Sequence, residues 1–459
     1  MGRSEHPQTV VIDDEQPLSQ SILWQIQRAY FLQNGIAAWQ NDEVPHAISC
    51  SPLMARTYGD IVFGYLQDCL AAVQAGELTL DTQTPIYFVE LGAGTGRLTY
   101  HFINQFYESF LDSPFADWPI RFVLTDFAPA TVQYWQAHPQ LQPWVEAGLL
   151  DFALFDAENP QALHQLHSQQ TIAPDTARNP IILFANYFFD SIPQDSIVIE
   201  DGVAYDNLLT ILSSQPEPNL SDRSIWERMT LQYVVGDSAE CQHPIDQAIL
   251  NDYADSLPDT ILTFPNLGLD CLRFWQRFDQ VLLLTSDRGH TQLDALIDET
   301  PPLPNLHGSF SLMVNYHAIA QYVERSSGTV HQAPHYQDNL QILALHLHRP
   351  LSDAAATSRA FAAAVTNGGP DDFFALQTAL HPLLNTLSPA QLLSLLRMSA
   401  WDAGLFQDCL PTIIAHAEQH PEWHPDIHDA TLQVWQQYLS ITENDLFEEQ
   451  IQRLLDILT

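Results

Sequence analysis

The segment Ile86-Tyr-Phe-Val-Glu-Leu-Gly-Ala-Gly-Thr-Gly-Arg-Leu98 groups the residues best suited to hold a ligand: Glu90 ends an apolar run, and Gly92, Gly94 and Gly96 follow at every second position. A buried strand that turns sharply into a helix calls for such residues. Glycine tolerates the left-handed backbone and leaves peptide groups bare for a ligand to lie against. A dinucleotide-binding turn sets its third glycine three residues after the second, and that position is Arg97. Two more acids close apolar runs downstream, Asp126 after Arg121-Phe-Val-Leu-Thr and Asp156 after Leu150-Asp-Phe-Ala-Leu-Phe. A carboxylate at the end of a second parallel strand can accept both hydroxyl protons of a ribose. Asp126 also suits a helix start, given the Phe-Ala-Pro-Ala-Thr that follows it, and Asp156 equally suits a helix cap.

The elements that must position these side chains are legible as alternating patterns. Apolar residues at helical spacing predict helices over Ser19 to Trp39, Pro52 to Ala75, Leu98 to Phe110 and Ala130 to His138. Strands are predicted at Ile86 to Leu91, Ile120 to Thr125, Leu150 to Phe155, Ile181 to Ala185 and Gln280 to Thr285. Such alternation implies a parallel sheet with crossover helices and a ligand site at the carboxyl ends of its strands. Between about Ser196 and Leu269 the pattern changes to mixed polarity with several aromatics, an expected insertion between core strands. The alanine-rich stretch Ala354 to Ala364 and the turn Asn367-Gly-Gly-Pro370 predict a linker, and the remainder to Thr459 is helical. The pair Leu405-Phe406 recurs as Leu446-Phe447, so a helical bundle or a tetratricopeptide-like repeat is expected there.

Composition narrows the function further. The chain has 459 residues with 56 acidic and 16 basic side chains, every basic one an arginine, and a formal net charge of -40. Such a charge opposes phosphate backbones and anionic membranes, which excludes nucleic-acid and membrane-surface partners and favours a basic protein segment. Without lysine, a Walker P-loop, a pyridoxal Schiff base and a lysine general base are excluded within these residues. The five cysteines (Cys50, Cys69, Cys241, Cys271, Cys409) show no CxxC pair and read as buried thiols of a reducing compartment. No signal-like segment opens the sequence and no apolar run is long enough to span a membrane, so a cytoplasmic protein is expected. No metal site is expected either. His346 and His348 alternate along a strand without a third ligand and are read as exposed. His290 is expected at a strand end near the pocket, while Trp226, Trp275, Trp401 and Trp435 are read as packing residues.

The glycine spacing behind Glu90 resembles motif I of class I S-adenosylmethionine-dependent methyltransferases. A narrower resemblance lies at Ala185-Asn-Tyr-Phe-Phe-Asp-Ser-Ile-Pro193, which is similar to the Gly-Asn-Glu-Phe-Phe-Asp-Ala-Leu-Pro motif of the MidA family. Segments at His46 to Gly59, Leu282 to Gly289 and Ser309 to Ala320 are similar to that family's motifs in the same order, so the resemblance covers about residues 20 to 350. It implies a Rossmann-like seven-stranded methyltransferase core with a substrate-binding insertion, and at least some members methylate arginine in a protein. Glu90 is implied to hold the methionine amino group, Gly92, Gly94 and Gly96 to carry the nucleoside, Asp126 to bind ribose and Asp156 the adenine amino group. Asn186 is implied beneath the methionine end, and Asp190 as the acid that orients a cationic acceptor. Tyr187 stands where the family has glutamate, so bidentate pairing to a guanidinium is lost at that position and Asp190 would act with another acid such as Asp287. A tyrosine there can still stack on a planar cation or accept a proton.

The expected chain is thus α/β. Residues 1–80 form an N-terminal helical segment, 81–350 a methyltransferase domain with an insertion at about 196–270, and 351–459 a C-terminal all-α helical domain. The expected function is S-adenosyl-L-methionine-dependent methylation of a protein side chain, with Asn186, Tyr187 and Asp190 in the catalytic centre. The alternatives are an adenosylmethionine-binding scaffold with little or no catalysis and a small-molecule methyltransferase. In any of these the protein's task is mainly positioning and dehydration, and a base is needed only where the acceptor must lose a proton.

Overall fold

The computed structural model describes residues 9–40, 44, 47–298, 300–335, 337, 340–442 and 446–458; His46, which opens one of the family-like segments, lies outside them. The chain starts with β1 (Val10–Gln16) and continues through α1 (Ile22–Asn34), α2 (Ala37–Gln40) and α3 (Pro52–Ala75). Two of these differ from the sequence reading. The N-terminal segment is not helical throughout, because β1 pairs with a strand of the insertion about two hundred residues away. The single helix expected over Ser19 to Trp39 is broken at Gly35. Helix α3 has the expected limits: the Ser51 hydroxyl accepts from the Met54 amide, Pro52 opens the first turn, and Tyr58, Ile61, Val62, Tyr65 and Leu66 are buried.

The core follows as β2 (Ile86–Glu90), α4 (Arg97–Leu111), β3 (Ile120–Asp126), α5 (Pro129–Ala137), β4 (Leu150–Leu154) and β5 (Ile181–Asn186). Next comes the insertion, with β6 (Asp195–Glu200), β7 (Val203–Ser213), β8 (Met229–Ser238), α6 (Pro244–Ser256), β9 (Thr260–Phe264) and α7 (Asn266–Trp275). The core resumes with β10 (Val281–Asp287), the hairpin β11 (Asn305–His307) and β12 (Ser309–Ser311), α8 (Tyr316–Arg325), β13 (Thr329–Gln332) and β14 (Gln341–His346). One seven-stranded sheet runs in the order β13-β14-β10-β5-β2-β3-β4, and β14 alone runs antiparallel to its neighbours. This is the doubly wound arrangement of Rossmann-like methyltransferases. Its strands read as unbroken apolar runs, as helices on both faces require: every residue of β2 and of β10 is buried. Register fixes the site, since Glu90 lies opposite Leu124 and Phe184, and Ser286 opposite Asn186, so the polar ends of four parallel strands gather on one edge.

The insertion is a second, antiparallel sheet in the order β1-β7-β6-β9, with β8 also on β7. Alternating burial along β7 shows that only one of its faces is covered. After the core, α9 (Ala355–Phe361) occupies the stretch read as a linker. It packs directly on α3, where a Cβ on Gly64 would stand 2.8 Å from the Ala356 carbonyl oxygen; only glycine admits this approach. Asp68 of α3 accepts from the amides of Ala356 (2.9 Å) and Thr357 (2.8 Å) and from the Thr357 hydroxyl (2.7 Å), starting α9. Alanine's small side chain served close packing here, a use that composition cannot distinguish from a linker.

The C-terminal helices are α10 (Pro370–Leu380), α11 (Pro389–Met398), α12 (Ala403–Gln419), α13 (His424–Gln437) and α14 (Leu446–Leu458). They share a core of Leu396, Phe406, Ile413, Val434, Phe447 and Leu454. The segment between α13 and α14 lies over the methyltransferase core. Carbonyls of this segment and of the last turn of α13 accept from Asn104 (at Gln436, 3.2 Å), Arg97 (at Leu439, 3.1 Å), Tyr134 (at Ser440, 3.0 Å) and Gln40 (at Ile441, 2.6 Å). Leu439 is buried among the side chains of α4. Among the described residues, no helix is long and apolar enough to cross a membrane.

The α3–α9 junction makes a direct stability prediction. Asp68→Ala leaves two buried amides and a hydroxyl without an acceptor and should cost about 2–3 kcal/mol, read as a lower urea midpoint with an unchanged slope.

Candidate active site

At the carboxyl edge of the sheet a cavity of about 520 Å³ is lined by Glu90, Gly92, Gly94, Asp126, Asp156, Asn186, Tyr187 and Asp190, among others. The sequence-predicted residues therefore converge, with one exception. Gly96 lies behind the turn, where it starts α4 and faces the Trp135 indole. All three glycines are left-handed, with φ of 63°, 51° and 74°. The turn is pinned by Leu91 N–H to Phe184 (2.8 Å), Ala93 N–H to Thr125 (2.8 Å) and Trp135 Nε1–H to Gly94 (3.1 Å). On the cavity side a Cβ on Gly94 would stand 2.9 Å from Trp39 of α2. The indole of Trp39 thus packs directly against the bare backbone of Gly94, and both line the cavity.

Two carboxylates flank this part of the cavity. Glu90 is buried and accepts from the Thr99 hydroxyl (2.5 Å) and amide (3.2 Å), which fixes it from the first turn of α4. Burial raises its pKa to about 7, partly countered by these bonds, with the Asp126 charge adding to the rise. Asp126 is raised to about 6, again mainly by burial, against the amides of Ala128, Gly94 and Phe127. Its Oδ1 accepts from Ala128 at 2.8 Å, so the residue turns the chain into α5 and faces the cavity at once; ligand contact and helix start coexist. Asp156 meets Arg28 of α1 in a two-pronged pair at 3.0 and 2.8 Å, and Arg28 also reaches Glu158 at 2.8 Å and covers the Phe127 ring at 4.6 Å. The stacked rings of Phe31 and Trp39 complete that end.

At the other end, Asn186 is held on both sides of its amide: Tyr58 O–H donates to its Oδ1 (2.6 Å) and its Nδ2 donates to the Ser49 carbonyl (2.6 Å). Tyr187 has φ of 49°, a conformation that a bulky side chain adopts only under constraint; its amide donates to Ser286 at 2.9 Å. Asp190 is buried, accepts from Ser191 O–H at 2.8 Å, and is raised to about 6 chiefly by burial. Asp287, fully buried beside it, is pushed well above the ordinary carboxylate range by burial and by the Asp190 charge. Their mutual repulsion favours the neutral form of Asp287. Asp287 does not line the cavity; it accepts from the Phe189 amide (3.1 Å) and Tyr316 O–H (3.2 Å) from behind.

The histidine expectations are corrected. His290 pairs in a short ladder with Asn315 and does not line the cavity, whose corresponding cation is Arg288. His346 is buried, not exposed, because β13 covers β14 and places its ring between Tyr65 and His331; burial lowers its pKa to about 3. His348 is half-buried and meets the Gln276 carbonyl at 3.0 Å. No cluster of three metal-ligating side chains occurs among the described residues. Sequence reading missed Arg28, Trp39, Arg288, His307 and Ser311. Arg28 and Trp39 lie in a segment read only as a helix, Arg288 and Ser311 lie in family-like segments without a role of their own, and His307 lies in neither.

The residues present fit S-adenosylmethionine. A buried acid with spare acceptor capacity suits an ammonium, an acid held by amides suits vicinal hydroxyls, and the bare backbone of Gly92 and Gly94 lines the cavity between them. No protein-family model matches the sequence, and no curated protein matches it. Solved structures align with it at low identity. A superfamily member and candidate methyltransferase from Burkholderia thailandensis, bound to S-adenosylhomocysteine, aligns at 11% identity over 74% of this chain and 89% of its own, with a TM-score of 0.49. A native crystal structure of an uncharacterized superfamily protein from that organism gives 11%, 74%, 89% and 0.44. Magnesium protoporphyrin IX methyltransferase from Synechocystis PCC 6803 gives 9% identity, 71% and 99% coverage, and 0.29.

Gly94→Val combines a left-handed backbone with a clash against Trp39, and should weaken S-adenosylhomocysteine binding by about 1–3 kcal/mol. Calorimetric titration, with circular dichroism confirming the fold, measures it.

Proposed function

We propose that this chain is an S-adenosyl-L-methionine-dependent methyltransferase. The supporting observation is the continuity of one cavity, from the glycine turn between Glu90 and Asp126, past Asn186, to Tyr187, Asp190 and Arg288. Glu90 takes the methionine ammonium, Asp126 the ribose hydroxyls, and Trp39, Phe127 and Asp156 surround the adenine. Asn186, fixed by Tyr58 and Ser49, supports the methionine end and keeps the reacting carbon aimed at the acceptor side. When bound, the sulfonium supplies an activated methyl group. The protein's share is in-line positioning and the exclusion of water by α1, α2 and the Arg28–Asp156 pair.

The acceptor is proposed to be a protein side chain, recruited by the acidic exterior: a net charge of -40 attracts a basic segment. Tyr187, in place of a second carboxylate, argues against arginine and favours a second reading, an adenosylmethionine-binding scaffold. Incubating the protein with methyl-labelled cofactor and lysate separates these. Labelled protein bands support transfer to protein, and a label-free lysate despite confirmed cofactor binding supports the scaffold.

Glu90 sets a pH dependence. Its folded value of about 7 exceeds the ordinary 4.5, so between these limits the folded chain holds a proton that the unfolded chain has lost, and ligand-free stability falls as pH rises through this window. A cationic ligand binds the ionised form and expels that proton. S-adenosylhomocysteine affinity should therefore rise by up to about tenfold per pH unit below neutrality and then level off. Glu90→Ala should flatten this profile and cost about 2 kcal/mol of binding, both measured by calorimetry across pH.

A further inference from the structure

The acceptor end of the cavity holds groups for which cofactor binding has no use. Arg288, exposed directly after β10, lines the cavity, and its guanidinium makes no hydrogen bond or ion pair among the described residues. In a chain where Arg28, Arg228 and Arg273 are each bound to two carboxylates, this cation is available to a ligand. The β11–β12 hairpin brings His307 and Ser311 to the same wall, with His307 Nε2 at 3.3 Å from Ser311 Oγ. The Ser311 hydroxyl also interacts with Asp190. Burial lowers the pKa of His307, and its Nδ1 has no hydrogen-bond partner among the described residues. Tyr187, Phe188, Ile192 and Pro193 form an apolar flank beside these polar groups.

Resting on the methyltransferase reading, we propose that the methyl acceptor is a phenolic hydroxyl, deprotonated by the Ser311–His307 pair and held at its oxygen by Arg288. The acceptor O–H proton passes to Ser311 Oγ as the serine proton moves to His307 Nε2. The phenol oxygen forms its bond to the methyl carbon while the carbon–sulfur bond breaks, and that electron pair stays on sulfur as a neutral thioether. The positive charge lost at sulfur reappears on the imidazolium, within reach of Asp190 through Ser311. A phenol titrates near about 10 and an ordinary imidazole near about 6.5, and burial lowers His307 further, so the adjacent Arg288 guanidinium has to draw the phenol down. An alkyl alcohol lies far beyond it. A guanidinium acceptor fits poorly, since Arg288 repels it and Tyr187 offers no carboxylate. The apolar flank suits an aromatic ring.

The phenol has two sources, a free small molecule or a tyrosine in a peptide, and the full chain distinguishes them. S-adenosylhomocysteine binding is measured first; its absence would defeat the methyltransferase reading itself. With that ligand bound, 4-nitrophenol is titrated at a fixed pH below its own pKa, where the free probe is mostly protonated, and followed by its phenolate absorbance. Ionisation on binding is expected, and should weaken about tenfold or more in Arg288→Ala and His307→Asn, while both variants keep wild-type S-adenosylhomocysteine affinity. With S-adenosylmethionine, a tyrosine peptide, an arginine peptide and 4-nitrophenol are then compared by product mass. An aryl methyl ether on either phenol supports the proposal and identifies its source. Intact S-adenosylhomocysteine binding with no phenol ionisation, or a methylated arginine peptide with both phenols unchanged, overturns it.

Discussion

The burial of carboxyl groups at one edge of a parallel sheet is the constraint on which the rest of this structure depends. Glu90, Asp126, Asp190 and Asp287 are each at most a few per cent exposed and stand at or just beyond the ends of adjacent strands. Removing a carboxylate from water is costly unless something compensates it, and each of the four has a distinct compensation. Thr99 serves Glu90, backbone amides serve Asp126, Ser191 serves Asp190, and the Phe189 amide with Tyr316 serves Asp287. Among the described residues, none of these four receives a protein cation at bonding distance. The site is thereby prepared for positive charge brought by something else.

Its walls come from parts of the chain far apart in sequence. The sheet supplies the acids, the N-terminal helices supply Arg28 and Trp39, and the segment after β10 supplies Arg288, His307 and Ser311. Asn186 is the joint between two of these parts, because one amide group bonds the loop at Ser49 and α3 at Tyr58. The left-handed Tyr187 follows at once, so the rigid joint and the constrained residue are neighbours.

Local signals carried much of this in the sequence. Helix α3, the strands β2 to β5 and the glycine turn were legible because their burial patterns are complete within a few residues, and the strand-end acids followed from them. What escaped depends on partners distant in the chain. Nothing near Val10 reveals that it pairs with Ser213, and alternation at His346 and His348 cannot show that β13 covers one of them. The alanines of α9 read as a linker because their purpose, contact with Gly64, lies on another helix. Trp39 and His307 were missed for the same reason: each is ordinary in its own segment and acquires a role only across the cavity.

The span between α13 and α14 couples otherwise separate parts of the molecule. Its carbonyls accept from α4, whose first turn carries the residue that fixes Glu90, from α5, and from Gln40 beside Trp39. The helical C-terminal region is therefore not an appendage that proteolysis could trim without effect. It is mechanically in series with the glycine turn, so a partner gripping those last helices would also be pulling on the floor of the active site.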